Sequence, residues 1–395
     1  MAETTGISWC DATFNPWMGC TKVSPACAHC YAEREMDHRY HRVKWGPQGT
    51  RVRTSKGNWG KPKRWNLLAG EGKCIGCAGT GSRKSRPCEV CSGTGGLEHR
   101  PRVFCASLAD VFEAWDKPIV MADGAKLFSQ SRLVKDGKPG EWETRAATLD
   151  DLRSDLFKLI DATPNLDWLL LTKRPENVSR MWCSHVNTDG LPPSELPRKN
   201  VWLGTTVENQ EQADKRIPEL LKCRHLAPVL FLSCEPLIGP INLHYPLCKH
   251  AIPGHSEQTY ATPCDPSGLI DWVISGGESG ANARPSHPDW FRSLRDQCAA
   301  SGVAFHHKQN GEWQDASSRD DVPHAAVLNT GDYCTPDTRE ARHTLDRKVS
   351  GKWNQLRPVC MSRVGVKKAG RLLDGVLHEA FPVVSREVVS DELDA

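Results

Sequence analysis

Cys20, Cys27 and Cys30 lie in the stretch NPWMGCTKVSPACAHCYAE, ahead of a chain that reads as alternating strands and helices. Thiolates are the usual ligands of iron-sulfur clusters, and three of them can hold a [4Fe-4S] cluster while one iron stays open to a small molecule. Gly, Pro and Ser around the cysteines favour a turn that could gather the thiols. This turn is the first candidate for chemistry.

Four further cysteines form two CxxC pairs inside an internal repeat, Cys74 and Cys77 in CIGCAGTG and Cys88 and Cys91 in CEVCSGTG. Four thiolates satisfy a closed tetrahedral zinc site, and the glycines let the backbone fold tightly around an ion. A rubredoxin-like iron site or metal-free thiols would use the same residues. Binding a metal would offset the small core of so short a segment. The repeat resembles the zinc-binding repeats of DnaJ-type chaperones over two units, which implies a small zinc-stabilised hairpin module. Cys248, His250, His255 and Cys264 are ligand types as well, but their spacing matches no metal signature.

Elements able to position these groups follow from hydrophobic runs. Nearly continuous apolar stretches at 103–110, 168–176, 201–208, 229–236, 271–280 and 302–309 predict strands buried on both faces, and Ile7–Cys10 predicts a short strand before the cysteine turn. Leu149, Leu152, Leu156 and Leu159 recur at helical spacing, and Ser286 is placed to cap a helix carrying Trp290, Leu294 and Cys298. The residues after Cys30 also suit a helix. Residues 46–66 read as an extended basic loop whose Trp59 and Trp65 could stack on bases or pack on the domain. The pattern predicts an α/β fold, a complete or partial parallel (β/α) barrel, with a doubly wound open sheet as the alternative. Asp110, Lys173, Glu208, Glu235, Glu278 and Lys308 fall where strands end, the rim on which such a barrel builds its site.

The expected division is a first barrel unit with the cysteine turn and basic loop (1–70), a CxxC/CxxC insertion (71–97), the barrel body (98–310), a polar insertion (311–345) and a C-terminal closing segment (346–395). In the last of these, Gly370 and Arg371 could contact an anion. The 395 residues carry 51 Lys and Arg against 48 Asp and Glu, so a net charge of +3 argues for local basic patches and against a generally basic protein. A mean hydropathy of −0.51 and the absence of a long apolar run predict a cytoplasmic protein without a membrane segment. Seventeen cysteines without an export signal favour reduced thiols and metal ligands over disulfides, with Cys105, Cys234 and Cys298 suited to buried packing.

The order of strand, three-cysteine turn and barrel resembles radical S-adenosylmethionine enzymes. The resemblance implies that Cys20, Cys27 and Cys30 ligate a [4Fe-4S] cluster whose open iron binds S-adenosylmethionine. It also implies an electron donor such as flavodoxin or ferredoxin. The CX6CX2C spacing departs from the common CX3CX2C pattern, and His29 stands where an aromatic is usual. More closely, NPWMGCTKVSPACAHCYAE, KPKRWN, LLLTKRPE, WLGTTVEN, FLSCEPLIGPI, DWVISGGESG and GRLLDGVLHEAFP resemble the phage Gp37/Gp68 family.

On this reading Lys173 and Arg174 would balance the cofactor carboxylate or a substrate phosphate, and Glu208 and Glu235 would hold a ribose hydroxyl or the methionine amino group. Gly276, Gly277 and Glu278 resemble the GGE-like element of that superfamily, or form only a tight turn after a strand. Cys234 could donate a hydrogen atom beside Glu235, or be a buried thiol. The expected substrate is a nucleotide or nucleic acid. A non-enzymatic, metal-stabilised nucleic-acid-binding or phage-associated protein and a hydrolase using Glu235 or Glu278 are the alternatives.

Overall fold

The computed structural model describes residues 5–135, 138–182, 197–243, 270–316, 325–334 and 359–384. The group Cys248, His250, His255 and Cys264 lies outside them. Seven strands form one parallel sheet: β1 (Ala12–Phe14), β2 (Arg102–Cys105), β3 (Asp167–Thr172), β4 (Val201–Thr206), β5 (Val229–Cys234), β6 (Trp272–Gly276) and β7 (Ala304–Gln309). They lie side by side in chain order. A doubly wound sheet would reverse direction about a switch point. Here each strand is added on the same side of the last, and the sheet curls into an open half-barrel.

Side-chain alternation divides the apolar residues between two faces. Phe104, Leu169, Trp202, Phe231, Trp272 and Ile274 fill the concave lumen. Leu170, Leu203, Leu230, Leu232 and Val273 face the helices. Gly204 is required in the lumen, because a Cβ there would meet the Phe231 ring at 2.5 Å. Trp9 and Phe381 close the floor, with ring centroids 4.6 Å from Phe104 and 5.1 Å from Trp272 respectively.

Four helices matter for the site: α1 (Lys56–Gly70), α2 (Leu149–Asp161), α3 (Gln210–Leu221) and α4 (Pro288–Ala300). The four leucines expected on α2 are all buried, and Thr148 and Asp151 close a reciprocal capping box at its start. Helix α4 is capped by His287, whose ring accepts from the Asp289 N–H, whereas the Ser286 hydroxyl donates to the Leu237 carbonyl at 2.6 Å. Helix α1 replaces much of the extended loop expected over 46–66. Its Gly57, Gly60 and Pro62 hide it from a propensity reading. It is held by tertiary contacts: Ser55 caps it, Asn58 donates to the Asn15 carbonyl at 2.9 Å, and Trp65 enters the core. Trp65 is therefore no stacking platform, and Trp59 packs edge-on against Phe14 at 5.5 Å. The first strand also begins later than the expected Ile7–Cys10, because the Cys10 N–H folds back to the Ile7 carbonyl.

The C-terminal segment makes an antiparallel bridge to the outer edge of β7, through His307 N–H to His378 O at 2.9 Å and Ala380 N–H to Phe305 O at 3.2 Å. It therefore packs along an edge. Strands Trp313–Asp315, Val359–Arg363, Ala325–Val327 and Tyr333–Cys334 make a small antiparallel sheet, and Phe128–Lys135 pairs with Lys138–Ala146 in a long hairpin. No helix among the described residues is long and apolar enough to cross a membrane.

Candidate functional site

The turn between β1 and the helix that starts at Tyr31 brings Cys20, Cys27 and Cys30 onto one cavity of about 140 Å³, which Ser107, Lys173 and Thr206 also line. All three thiols are half-buried. The close approach begins at Gly19, whose φ of +105° and 2.5 Å separation between a built Cβ and the Thr50 carbonyl exclude any other residue. Burial, with the Glu113 and Asp110 carboxylates adding, pushes the Cys20 thiol up to about 12 despite the nearby Arg174.

Four arginine–carboxylate pairs hold the cysteine turn, three of them buried and the fourth, Arg284 with Glu278, half-buried. Arg174 bonds the Asp110 carboxylate at 2.8 Å, the Thr21 carbonyl at 2.7 Å and the Cys20 sulfur at 3.6 Å. Behind it, Arg51 pairs with both oxygens of Glu113 at 2.7 Å and donates to the Thr21 hydroxyl at 2.8 Å. Glu208 accepts the Ala26 N–H at 3.2 Å through one oxygen and pairs with Arg216 at 2.8 Å through the other. Glu278 pairs with Arg284, from the guanidinium and from the backbone N–H at 2.7 Å, and meets His29 Nδ1 at 3.1 Å. Glu208 and Glu278, expected to touch a cofactor, thus spend their oxygens on the loop that carries the thiols.

The other expected site residues divide. Lys173 donates to the Thr206 hydroxyl at 3.3 Å and faces the cysteine cavity. Glu235 forms an ion pair with Lys308 at 2.5 Å, farther along the strand ends. Gly276 leaves room for the Glu235 side chain, and at Gly277 a Cβ would sit 2.4 Å from the Asn310 carbonyl. The Gly277 N–H is already bonded to Gln309 O at 3.0 Å, so this turn serves the packing of β6 against β7. Cys234 is fully buried in the helix-facing core, and burial together with Cys298 and Glu208 raises its pKa well above the ordinary value. It does not reach the lumen. Arg51, Glu113, Arg216 and Arg284 were not anticipated; each is a single charge with no local motif, and only the fold brings its partner near.

Burial alone would raise the Glu278 carboxyl, but hydrogen bonds and charge from Arg284, with His29, hold it below the usual carboxylate range. A depressed folded value gives stability that is fully present above the unfolded value of about 4.3 and is lost as pH falls through the folded value. Urea unfolding of the parent chain and Glu278→Gln should therefore give stabilities that converge as pH falls from about 6 to about 3. A gap that stays constant would show that this carboxylate carries no such linkage.

Cys74, Cys77, Cys88 and Cys91 are all buried, and their sulfurs lie within 4.8 Å of one another. Cys74 and Cys88 are 3.9 Å apart and Cys77 and Cys91 3.7 Å. Four sulfurs held about 2.3 Å from one ion stand about 3.8 Å from each other, so the spacing suits a single tetrahedral ion. The repeat folds as two copies of one turn: Thr80 and Thr94 hydroxyls each donate to the carbonyl three residues back at 2.8 Å. Cys74 N–H bonds Gly95 O at 2.8 Å and Cys88 N–H bonds Gly81 O at 2.9 Å, which ties each half to the other. Burial opposes ionisation of Cys91, yet the Gly95 N–H and the three neighbouring thiols bring it down to about 7. This cluster is able to coordinate a metal ion.

A curled parallel half-barrel with a four-thiolate metal-binding cluster inserted after its first strand is the class that these features define. The chain belongs to the protein family of unknown function DUF5131, which it matches over residues 4–128 and 145–382. The stretch between the matched parts falls within the long hairpin Phe128–Lys135 and Lys138–Ala146. No curated protein and no solved structure matches the chain.

Proposed function

We propose that the protein is an oxygen-sensitive radical S-adenosylmethionine enzyme acting on a nucleotide or nucleic acid. The observation that carries this reading is the convergence of Cys20, Cys27 and Cys30 on one cavity at the strand-end mouth of a parallel half-barrel. Among the described residues, the sulfurs close enough to share one ion are those of Cys74, Cys77, Cys88 and Cys91. The rim thiols are spread more widely, as suits a [4Fe-4S] cluster in which each thiolate binds a different iron. Held by Cys20, Cys27 and Cys30, such a cluster would supply one electron, taken from an external donor, for reductive cleavage of the sulfur–C5′ bond of S-adenosylmethionine into methionine and a 5′-deoxyadenosyl radical.

Cys20, Cys27 and Cys30 would hold the cluster, and Lys173 would meet the cofactor carboxylate. Glu235, which pairs with Lys308, would accept from a ribose hydroxyl or the amino group. Glu208 and Glu278 are positioning residues that fix the thiol loop. The four buried thiols would hold zinc as a structural ion, and an electron donor such as flavodoxin or ferredoxin would complete the reaction. The motifs that resemble the phage Gp37/Gp68 family, WLGTTVEN and FLSCEPLIGPI among them, form the strand ends of this rim.

Anaerobic reconstitution should give about four irons and one zinc per chain, with reductive formation of 5′-deoxyadenosine. Cys27→Ala should lose the cluster absorbance and the 5′-deoxyadenosine while keeping the zinc. A preparation that holds zinc but no iron, and cleaves no S-adenosylmethionine, would sink the proposal.

A further inference from the structure

We propose that the cleft beside Cys30 and the exposed face of α1 together bind single-stranded nucleic acid, with one unstacked nucleotide in the cleft and the neighbouring phosphates along the helix. This inference rests on the enzymatic reading above and names its substrate surface. The cleft measures about 830 Å³ and is lined by Tyr31, Tyr40, Arg42 and Arg53 among others, with no carboxylate among the described residues that line it. Ser107 lines both this cleft and the cysteine cavity, so the two are neighbours.

Its aromatic wall has a local cause. After Cys30 the helix widens: the Tyr40 N–H reaches back five residues to the Glu35 carbonyl at 2.9 Å. An α-helix would place residues five apart on different faces. The wider turn lets Tyr31 and Met36 line the same cleft as Tyr40. Tyr31 and Tyr40 remain 57% and 48% exposed, and the Arg34 guanidinium lies 5.8 Å from the Tyr31 ring. The Arg39 and Arg42 guanidiniums lie over the Tyr40 ring at 5.1 and 5.5 Å, with Arg39 also paired to Glu35 at 3.1 Å, so a base stacking there would take the place of one of them and keep the other beside it. Arg53 donates to the Thr54 carbonyl at 3.3 Å and lies over Trp59, with Asp155 acting on it electrostatically.

Helix α1 starts at the cleft, where its capping Ser55 is a lining residue. Its sequence KGNWGKPKRWNLLAG contains no carboxylate, and Lys56, Lys63 and Arg64 are exposed at spacings that share one face. From Lys56 to Arg64 these cations span about 12 Å of the helix. Stacking rings beside a row of cations are what a single strand requires, since its bases are free to leave the strand and its phosphates are regularly spaced. A free nucleotide would use the cleft but would leave the helix face without a purpose.

The test is fluorescence anisotropy on the anaerobically reconstituted full chain, with a labelled oligodeoxynucleotide of about 15 nucleotides and the duplex of the same sequence. The single strand should bind at least about tenfold more tightly than the duplex. Arg42, Arg53, Lys56, Lys63 and Arg64, five cations, should give a slope of about −3.5 in log affinity against log salt, and the triple variant Lys56→Gln, Lys63→Gln, Arg64→Gln should reduce it by about 2. Tyr40→Ala should weaken binding by about tenfold or more with an unchanged slope, and Tyr40→Phe should restore it. All four side chains are exposed, and an unchanged thermal melt will confirm that the variants fold. Equal binding of duplex, wild-type binding by the Tyr40→Ala and triple variants, or equal competition by a nucleoside monophosphate at matched nucleotide concentration would overturn the inference. S-adenosylmethionine cleavage is read in the same preparation. Cleavage without strand binding removes this inference alone, whereas strand binding by a chain that takes up no iron removes the enzymatic reading and leaves the binding face in place.

Discussion

Glu208→Ala is expected to destabilise the chain by about 3–5 kcal/mol in urea unfolding, because it leaves a buried arginine without its counter-charge. Arg216 is 2% exposed and Glu208 is fully buried. Their contact of 2.8 Å satisfies one carboxylate oxygen, and the Ala26 N–H satisfies the other. Among the described residues, Arg216 keeps the Thr206 carbonyl alone as an acceptor in the variant. Replacing both partners, Glu208→Leu with Arg216→Leu, should recover much of the stability, since two apolar side chains avoid the unpaired charge. It should not recover iron uptake, because Ala26 still lacks its anchor beside Cys27. Stability and iron content therefore separate the two duties of one carboxylate. A loss below about 1 kcal/mol for Glu208→Ala would contradict the pairing.

Cys88→Ser should release the ion of the four-cysteine module and unfold residues 71–97 locally. Structural zinc in a small module contributes on the order of 10–16 kcal/mol, more than such a segment can replace. The serine keeps the shape but offers a hard oxygen where a thiolate is needed. The half-barrel should survive, since Trp9, Trp202 and Trp272 pack in the lumen and none lies in the module. Near-ultraviolet circular dichroism from those tryptophans should persist while limited proteolysis opens the segment between Gly72 and Gly95. Retention of a full equivalent of metal in Cys88→Ser would refute the four-thiolate site.

The parallel strands were legible because burial on both faces leaves a run of apolar residues that needs no periodicity to be seen. Helix α1 was not, because two glycines and a proline outweigh its capping serine until Asn58 and Trp65 find partners elsewhere in the chain. The cysteines announced themselves by type. What the carboxylates do was hidden, since Glu208 meets a backbone N–H 182 positions away and Glu278 a histidine 249 away. Cys234 is a different case. It shares the parity of Leu230 and Leu232 on one strand, so alternation alone already points it toward the helices.

The two borders of the sheet are not joined by a backbone ladder: β7 carries a bridge from the C-terminal segment, whereas β1 pairs with β2 alone among the described residues. Side chains span the gap instead, Ser8 Oγ to His306 Nε2 at 2.8 Å on the floor and His29 Nδ1 to Glu278 at 3.1 Å on the rim. A closed barrel holds its circumference through many backbone bonds, whereas this half-barrel is fastened by single side-chain contacts that a substitution can cut one at a time.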